Sequence, residues 1–101
     1  MDCKKHYTYI LKCSDGTLYT GYTTNIRKRI ETHNNKKGAK YTKTRTPVKL
    51  YYYEEFLDKS SAMKKEYAIK QLDRKRKFEY IDENMNVEKK EYIININKGE
   101  E

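Results

Sequence analysis

The sequence predicts an α/β sandwich: a three-stranded antiparallel sheet flanked by helices in one domain. Three observations carry this. Two stretches rich in β-formers, Tyr7–Cys13 and Thr17–Tyr22, flank a Ser14-Asp15-Gly16 turn. A third stretch, Val48–Phe56, has Tyr51, Tyr52 and Tyr53 at its centre. Between and after these runs, apolar residues recur at helical spacing. A chain of 101 residues suffices for one domain and not two. With 36% hydrophobic and 38% charged residues, its core must be compact and its surface heavily charged. Eleven tyrosines argue for a folded chain, since disordered segments are poor in aromatics.

The hairpin fixes a register if its loop is the three residues Ser14 to Gly16, with Gly16 in the left-handed region. Cys13 then pairs with Thr17, Tyr9 with Gly21 and Leu11 with Tyr19. Side chains alternate along a strand, so Tyr9, Leu11 and Tyr19 share one face. A two-residue loop would break that arrangement.

Thr23-Thr24-Asn25 is a helix start, because such side chains accept hydrogen bonds from free backbone amides. Ile26, Ile30 and His33 follow as one stripe. Arg29 falls inside the same arc, whereas Arg27 and Lys28 point away. An arginine aimed at the core of so short a helix needs a partner there. From Asn34 to Pro47 the chain is polar and reads as a loop. A second helix is expected from Asp58–Ser61 to about Phe78, with Ala62, Met63, Ile69 and Leu72 inward. Glu66 lies inside that arc, and a carboxylate there is costly unless paired or bound to metal. Beyond Tyr80 acidic residues outnumber basic ones. Residues 1–83 are therefore read as the domain and 84–101 as an acidic, loosely held tail. A short strand is possible at Glu91–Asn97.

The net charge is +8, and between Thr24 and Lys49 nine basic residues face only Glu31. Such a balance favours a polyanion, because Lys and Arg that neutralise phosphates release condensed counterions. Lys36, Lys37, Lys40, Lys43 and Arg45 are the expected grip on a phosphate backbone, and point charges on flexible stems read no bases. A solvated charge run is the plainer alternative. Cys3 and Cys13 form neither a disulfide framework nor a zinc site, and read as free thiols of a cytoplasmic protein. No apolar run is long enough for a signal peptide or a membrane span.

Tyr7-Thr8-Tyr9, followed by Tyr19-Thr20-Gly21, resembles the paired half-motifs of the GIY-YIG nuclease domain. Arg29 in the next helix and Glu66 in the later one resemble that family's two other catalytic positions. The runs His33-Asn34, Gly38–Thr42 and Pro47–Leu50 are similar to a small stand-alone bacterial subgroup related to structure-selective nucleases. The likeness spans roughly residues 6–80, with Tyr7 in place of the motif's first glycine and Thr20 in the middle of its second half. It implies an endonuclease that hydrolyses DNA phosphodiester bonds with one Mg²⁺ or Mn²⁺. Tyr9 is then the general base or water orienter, and Tyr19 assists.

The chemistry agrees with those residue types. Phosphodiester hydrolysis needs a base for water, a cation for the pentavalent oxygens and help for the leaving oxygen. Glu66 suits a divalent ion that needs only one or two carboxylates. Arg29 offers a planar fork to phosphate. His33, one turn from Arg29, is an alternative base. Against this stand plainer readings: Tyr9 and Tyr19 as core aromatics, His33 as the end of a helix stripe, and Arg29–Glu66 as an inter-helix salt bridge. Two other functions remain open: a non-catalytic nucleic-acid-binding module, and a protein-interaction domain whose acidic tail covers its own basic face. The enzyme is expected to be a monomer, alone or with a targeting partner.

Overall fold

A computed structural model describes residues 4–98; Cys3, read above as a free thiol, and the acidic Glu100 and Glu101 lie outside them. Strand β1 (His6–Lys12) pairs antiparallel with β2 (Leu18–Thr23) on one side and with β3 (Lys49–Phe56) on the other, giving the order β2-β1-β3. The expected hairpin register holds: Tyr9 faces Gly21, Leu11 faces Tyr19, and the Cys13 amide donates to the Thr17 carbonyl at 2.8 Å. Gly16 has φ +85°, a conformation that costs glycine little. Asp15 Oδ1 accepts from the Thr17 amide at 3.1 Å and the Thr17 hydroxyl at 2.6 Å, which closes the turn.

Helix α1 (Ile26–Asn34) starts at Asn25, whose side chain accepts from the Lys28 amide at 3.0 Å. Ile26 and His33 are buried and Ile30 is half-buried, so the stripe packs inward. The chain leaves α1 through Lys36 in the left-handed region, φ +64°. Within the segment expected to be loop, residues Lys40–Lys43 form a single helical turn, α2.

A register shift lies between Ile10 and Leu11, where β1 pairs Ile10 with Tyr52 but Leu11 with Leu50. The extra residue, Tyr51, breaks the strand's alternation. Leu50 therefore joins the core on one face of the sheet, with Tyr9, Leu11, Cys13, Ile26 and Val48, while Tyr52 joins Ile10, Ile69 and Ile81 in a second cluster.

The single second helix expected to about Phe78 is two. Helix α3 (Lys59–Lys70) is capped by Asp58, and α4 (Arg74–Asn84) by Asp73, whose carboxylate accepts from the Arg76 amide at 2.9 Å. Asp73 supplies the new start, which a continuous charged run disguises. Ala62 and Ile69 are buried as expected, but Met63 is 40% exposed. The Thr8 hydroxyl ties β1 to α3 by donating to the Ala62 carbonyl at 2.6 Å.

Among the described residues, neither a loose tail nor a late strand follows residue 84. Val87–Asn97 forms helix α5, started by Asn86, and Ile93 and Ile96 are buried in the first core cluster. Two buried isoleucines three apart match a helix face, and each contributes roughly 1.5–3 kcal/mol of burial. Asn97 completes the docking on the outer edge of β3: its Oδ1 accepts from the Leu50 amide and its Nδ2 donates to the Leu50 carbonyl, both at 2.9 Å. No helix among the described residues is long and apolar enough to cross a membrane.

Candidate active site

The hairpin register sets Tyr9 against Gly21, and the reason is steric. A Cβ at Gly21 would lie 2.5 Å from Tyr9 Oη and 2.6 Å from Cζ, so only glycine leaves the phenol its place. Gly21→Ala is expected to lower stability by about 1–3 kcal/mol, as overpacking does. Urea unfolding measures this, and a variant as stable as wild type would show that the strands part to admit the methyl.

Helical spacing puts Arg29 and His33 on one face of α1, above Tyr9. Tyr9 Oη lies 2.9 Å from His33 Nε2 and accepts from Arg29 Nε at 3.2 Å. His33 Nδ1 lies 2.8 Å from the Thr42 hydroxyl, which donates to the Ala39 carbonyl at 3.1 Å. Thr42 spends its one hydrogen on Ala39 and can only accept from His33. Nδ1 therefore carries the imidazole proton, and Nε2 receives the hydrogen of Tyr9. A Cβ at Gly38 would collide with His33 Nδ1, so a second glycine makes room for the same chain of bonds.

Electrostatics keep this chain neutral. Burial, assisted by the positive charge of Arg29, pushes the His33 imidazole down to about 4. Burial pushes the Tyr9 phenol up to about 12, although the hydrogen bond and charge of Arg29 pull it down; the charge of Glu66 adds to the rise. At neutral pH the pair is a phenol donating to a neutral imidazole.

Exposure splits the residues into two layers. Tyr9 is 1% and His33 0% exposed, whereas Tyr19, Arg29 and Glu66 are half-buried. The Tyr19 ring centroid lies 5.3 Å from that of His33 and 6.4 Å from that of Tyr9. Arg29 also lines a depression of about 230 Å³ with Lys28 and the hydroxyl residues Thr23, Thr24 and Thr32, which no carboxylate enters. The Glu66 carboxylate pairs with Lys70 Nζ at 3.3 Å within α3, and not with Arg29. The salt bridge that would have explained both inward charges is thus absent, and Arg29 spends its Nε on a phenol.

Among the expected phosphate contacts, Lys36, Lys37, Lys40 and Lys43 are exposed and gather round a depression of about 330 Å³. Arg45 does not join them. Its Nε donates to Asp15 Oδ2 at 3.0 Å, its Nη1 donates to the Tyr41 carbonyl at 2.7 Å, and its guanidinium lies 4.0 Å above the Tyr41 ring. It is a brace between the first turn and α2. Thr42 and Gly38 enter the sequence reading only as the ends of the run Gly38–Thr42 and receive no role there, because a threonine and a glycine in a polar stretch carry no periodic signal.

The catalytic-domain profile of the GIY-YIG family matches residues 5–81. The chain belongs to the GIY-YIG family. A UPF0213 protein of Staphylococcus haemolyticus is 61% identical over 79 residues, covering 78% of this chain and 96% of that one. The UPF0213 protein YazA of Bacillus subtilis is 46% identical over 93 residues, 92% of this chain and 94% of that one. The solution structure of a UPF0213 protein from Bacillus halodurans aligns with a TM-score of 0.55 at 42% identity, over 84% of this chain and 90% of that one. The GIY-YIG half-motifs are thus β1 and β2, and the Tyr9–Gly21 contact is where they meet. Helix α5 lies beyond the GIY-YIG match.

Proposed function

We propose that the protein is a divalent-metal-dependent endonuclease acting on DNA. The observation that carries this reading is the Arg29–Tyr9–His33 chain, in which an inward arginine is held by Nε alone. That leaves its terminal nitrogens Nη1 and Nη2 to serve as a fork for two oxygens of one phosphate. Tyr19 orients water beside it. While Arg29 sits on Tyr9, the phenol is closed to solvent; drawn onto a phosphate, the guanidinium uncovers Oη. The attacking water then gives its proton to Tyr9 as Tyr9 gives its own to His33 Nε2. The same movement takes positive charge away from His33 and makes it the better base. Thr42 holds the imidazole in the tautomer this needs.

Among the described residues no cluster of three or more His, Cys, Asp or Glu side chains stands ready as a metal cage. Glu66 nevertheless fits Mg²⁺ or Mn²⁺, which keep most of their waters and take one or two carboxylates with substrate oxygens. Such an ion would neutralise charge developing on the phosphate. Lys70 must release Glu66 for this. Lys36, Lys37, Lys40 and Lys43 hold the backbone beyond the site, so affinity falls as salt rises. The buried free thiol of Cys13 fits a reducing cytoplasm.

A second reading, a nucleic-acid-binding module without cleavage, draws support from the burial of Tyr9 and His33, which suits core residues equally well. Labelled duplex, flap and single-stranded DNA, incubated with Mg²⁺, Mn²⁺ or EDTA, separate the two. Metal-dependent cutting that Glu66→Ala lowers by at least about 10²-fold is the expected result. Binding without cutting on any substrate favours the module.

A further inference from the structure

At Tyr19 the outer layer of the site continues into a trough. Two adjoining cavities, about 300 and 190 Å³, share Leu18, Tyr41 and Lys77. The larger begins at Tyr19 and is lined by Thr20 and Lys70; the smaller reaches Arg74. Four features of the trough point to a ligand. Thr20 is 4% exposed, and its Oγ1 is the only buried side-chain oxygen or nitrogen among the described residues without a hydrogen-bond partner. Such an orphan costs about 1–3 kcal/mol unless something meets it. Lys77 is half-buried with no carboxylate partner among the described residues, and no acidic side chain lines either cavity. Tyr41 is 40% exposed, and its ring lies stacked beside that of Tyr19, 6.1 Å away at 24°, so the two form one aromatic wall at the mouth of the trough. Finally, its walls are firm: Arg45 braces Tyr41 from one side, and Arg74 Nη1 donates to the Gly16 carbonyl at 3.1 Å.

A flat ring, an uncommitted hydroxyl and the unpaired cation of Lys77 in one trough match the three parts of a nucleotide: base, polar edge and phosphate. Bases inside a duplex stack face to face on the neighbouring pairs, so it is an unpaired base that is free to lie on a tyrosine. We infer that the trough between β2, α2 and α4 binds an unpaired nucleotide of the substrate strand, flanking the bond to be cut. Its base lies against Tyr41 and Leu18 with a polar edge on Thr20, and its phosphate lies on Lys77. This rests on the nuclease reading of the neighbouring site, and it adds the kind of strand that site accepts. Selectivity then comes from the shape of the DNA and not its sequence, because one hydroxyl distinguishes few bases while every base has a face to stack.

Binding is measured in EDTA, so that nothing is cut, with two DNAs of equal charge. One is a duplex with a single unpaired nucleotide at a nick, and the other is the same with an abasic residue there. Wild type is expected to bind the first about tenfold more tightly. Tyr41→Ala and Thr20→Val should each remove most of that ratio, and Tyr41→Phe should keep it. Lys77→Ala should weaken both DNAs. Amide spectra of each variant establish that it is folded. An equal affinity for the two DNAs in wild type, or a ratio unchanged in folded Tyr41→Ala, overturns the trough while leaving backbone binding and cleavage standing. Failure to bind any DNA instead removes the nuclease reading. The trough is then decided by titrating a deoxynucleoside monophosphate: shifts confined to the Thr20, Tyr41 and Lys77 amides make it a site for free nucleotides, and no shifts overturn it.

Discussion

Replacing Arg29 with alanine is expected to slow strand cleavage by about 10²–10³-fold while leaving the protein folded. The loss has two sources. The substrate phosphate loses its fork, and Tyr9 loses the cation that opposes the effect of burial on its phenol. The fold is spared because the half-buried Arg29 adds a positive charge beside an imidazole already penalised by burial. A second readout separates this role from mere packing. In the wild type His33 stays neutral down to about pH 4; without Arg29 only burial acts on it, so its titration should move upward toward its ordinary range. Proton resonances of the imidazole ring follow that directly. Arg29→Lys should restore the charge but not the planar fork, and cleavage should remain slow. Turnover within a few-fold of wild type in Arg29→Ala would remove Arg29 from the chemistry altogether.

Acidification should cost stability through the same histidine. In the unfolded chain His33 takes a proton near its ordinary pKa of about 6.5, whereas in the folded protein it resists until about 4. Between those limits the unfolded state binds more protons, so stability falls as pH falls and is fully present above the unfolded value. A shift of this size corresponds to a loss on the order of 3 kcal/mol across the window, a large share of a small domain's total. Asp15 and Asp58, held below the usual carboxylate range by hydrogen bonds to their neighbours, act at lower pH and do not mask it. Urea midpoints at pH 7 and pH 4.5 measure the slope. His33→Gln should be less stable at pH 7 but nearly flat between the two; an equal slope in both proteins would assign the acid sensitivity elsewhere.

Much of this site was legible because it depends on local periodicities. The three-residue turn fixes the β1–β2 register, and the register alone sets Tyr9 against Gly21 with Tyr19 on the same face. Spacing on α1 turned Arg29 and His33 inward together. What escaped the sequence depends on contacts between distant segments. Asp73 looks like one more polar residue in a charged run until Arg76 needs a cap. Ile93, Ile94 and Ile96 favour a strand by composition, yet the apolar surface beside Leu50 makes a helix face the better use of them. The pairing of Arg45 with Asp15, thirty residues away, likewise carries no local signal, and charge counting alone does not find it. Thr42 matters only because α2 brings it to His33, nine residues away.

The clasp of Asn97 on Leu50 has a consequence for how these molecules behave when crowded. A three-stranded open sheet leaves two borders, and each is a template onto which another chain can add a strand. On β3 part of that template is already taken, since one side-chain amide imitates the donor and acceptor a neighbouring strand would bring. Helix α5 thus guards against growth of the sheet from one molecule into the next, a protection that Ile93 and Ile96 hold in place by burying themselves beneath it.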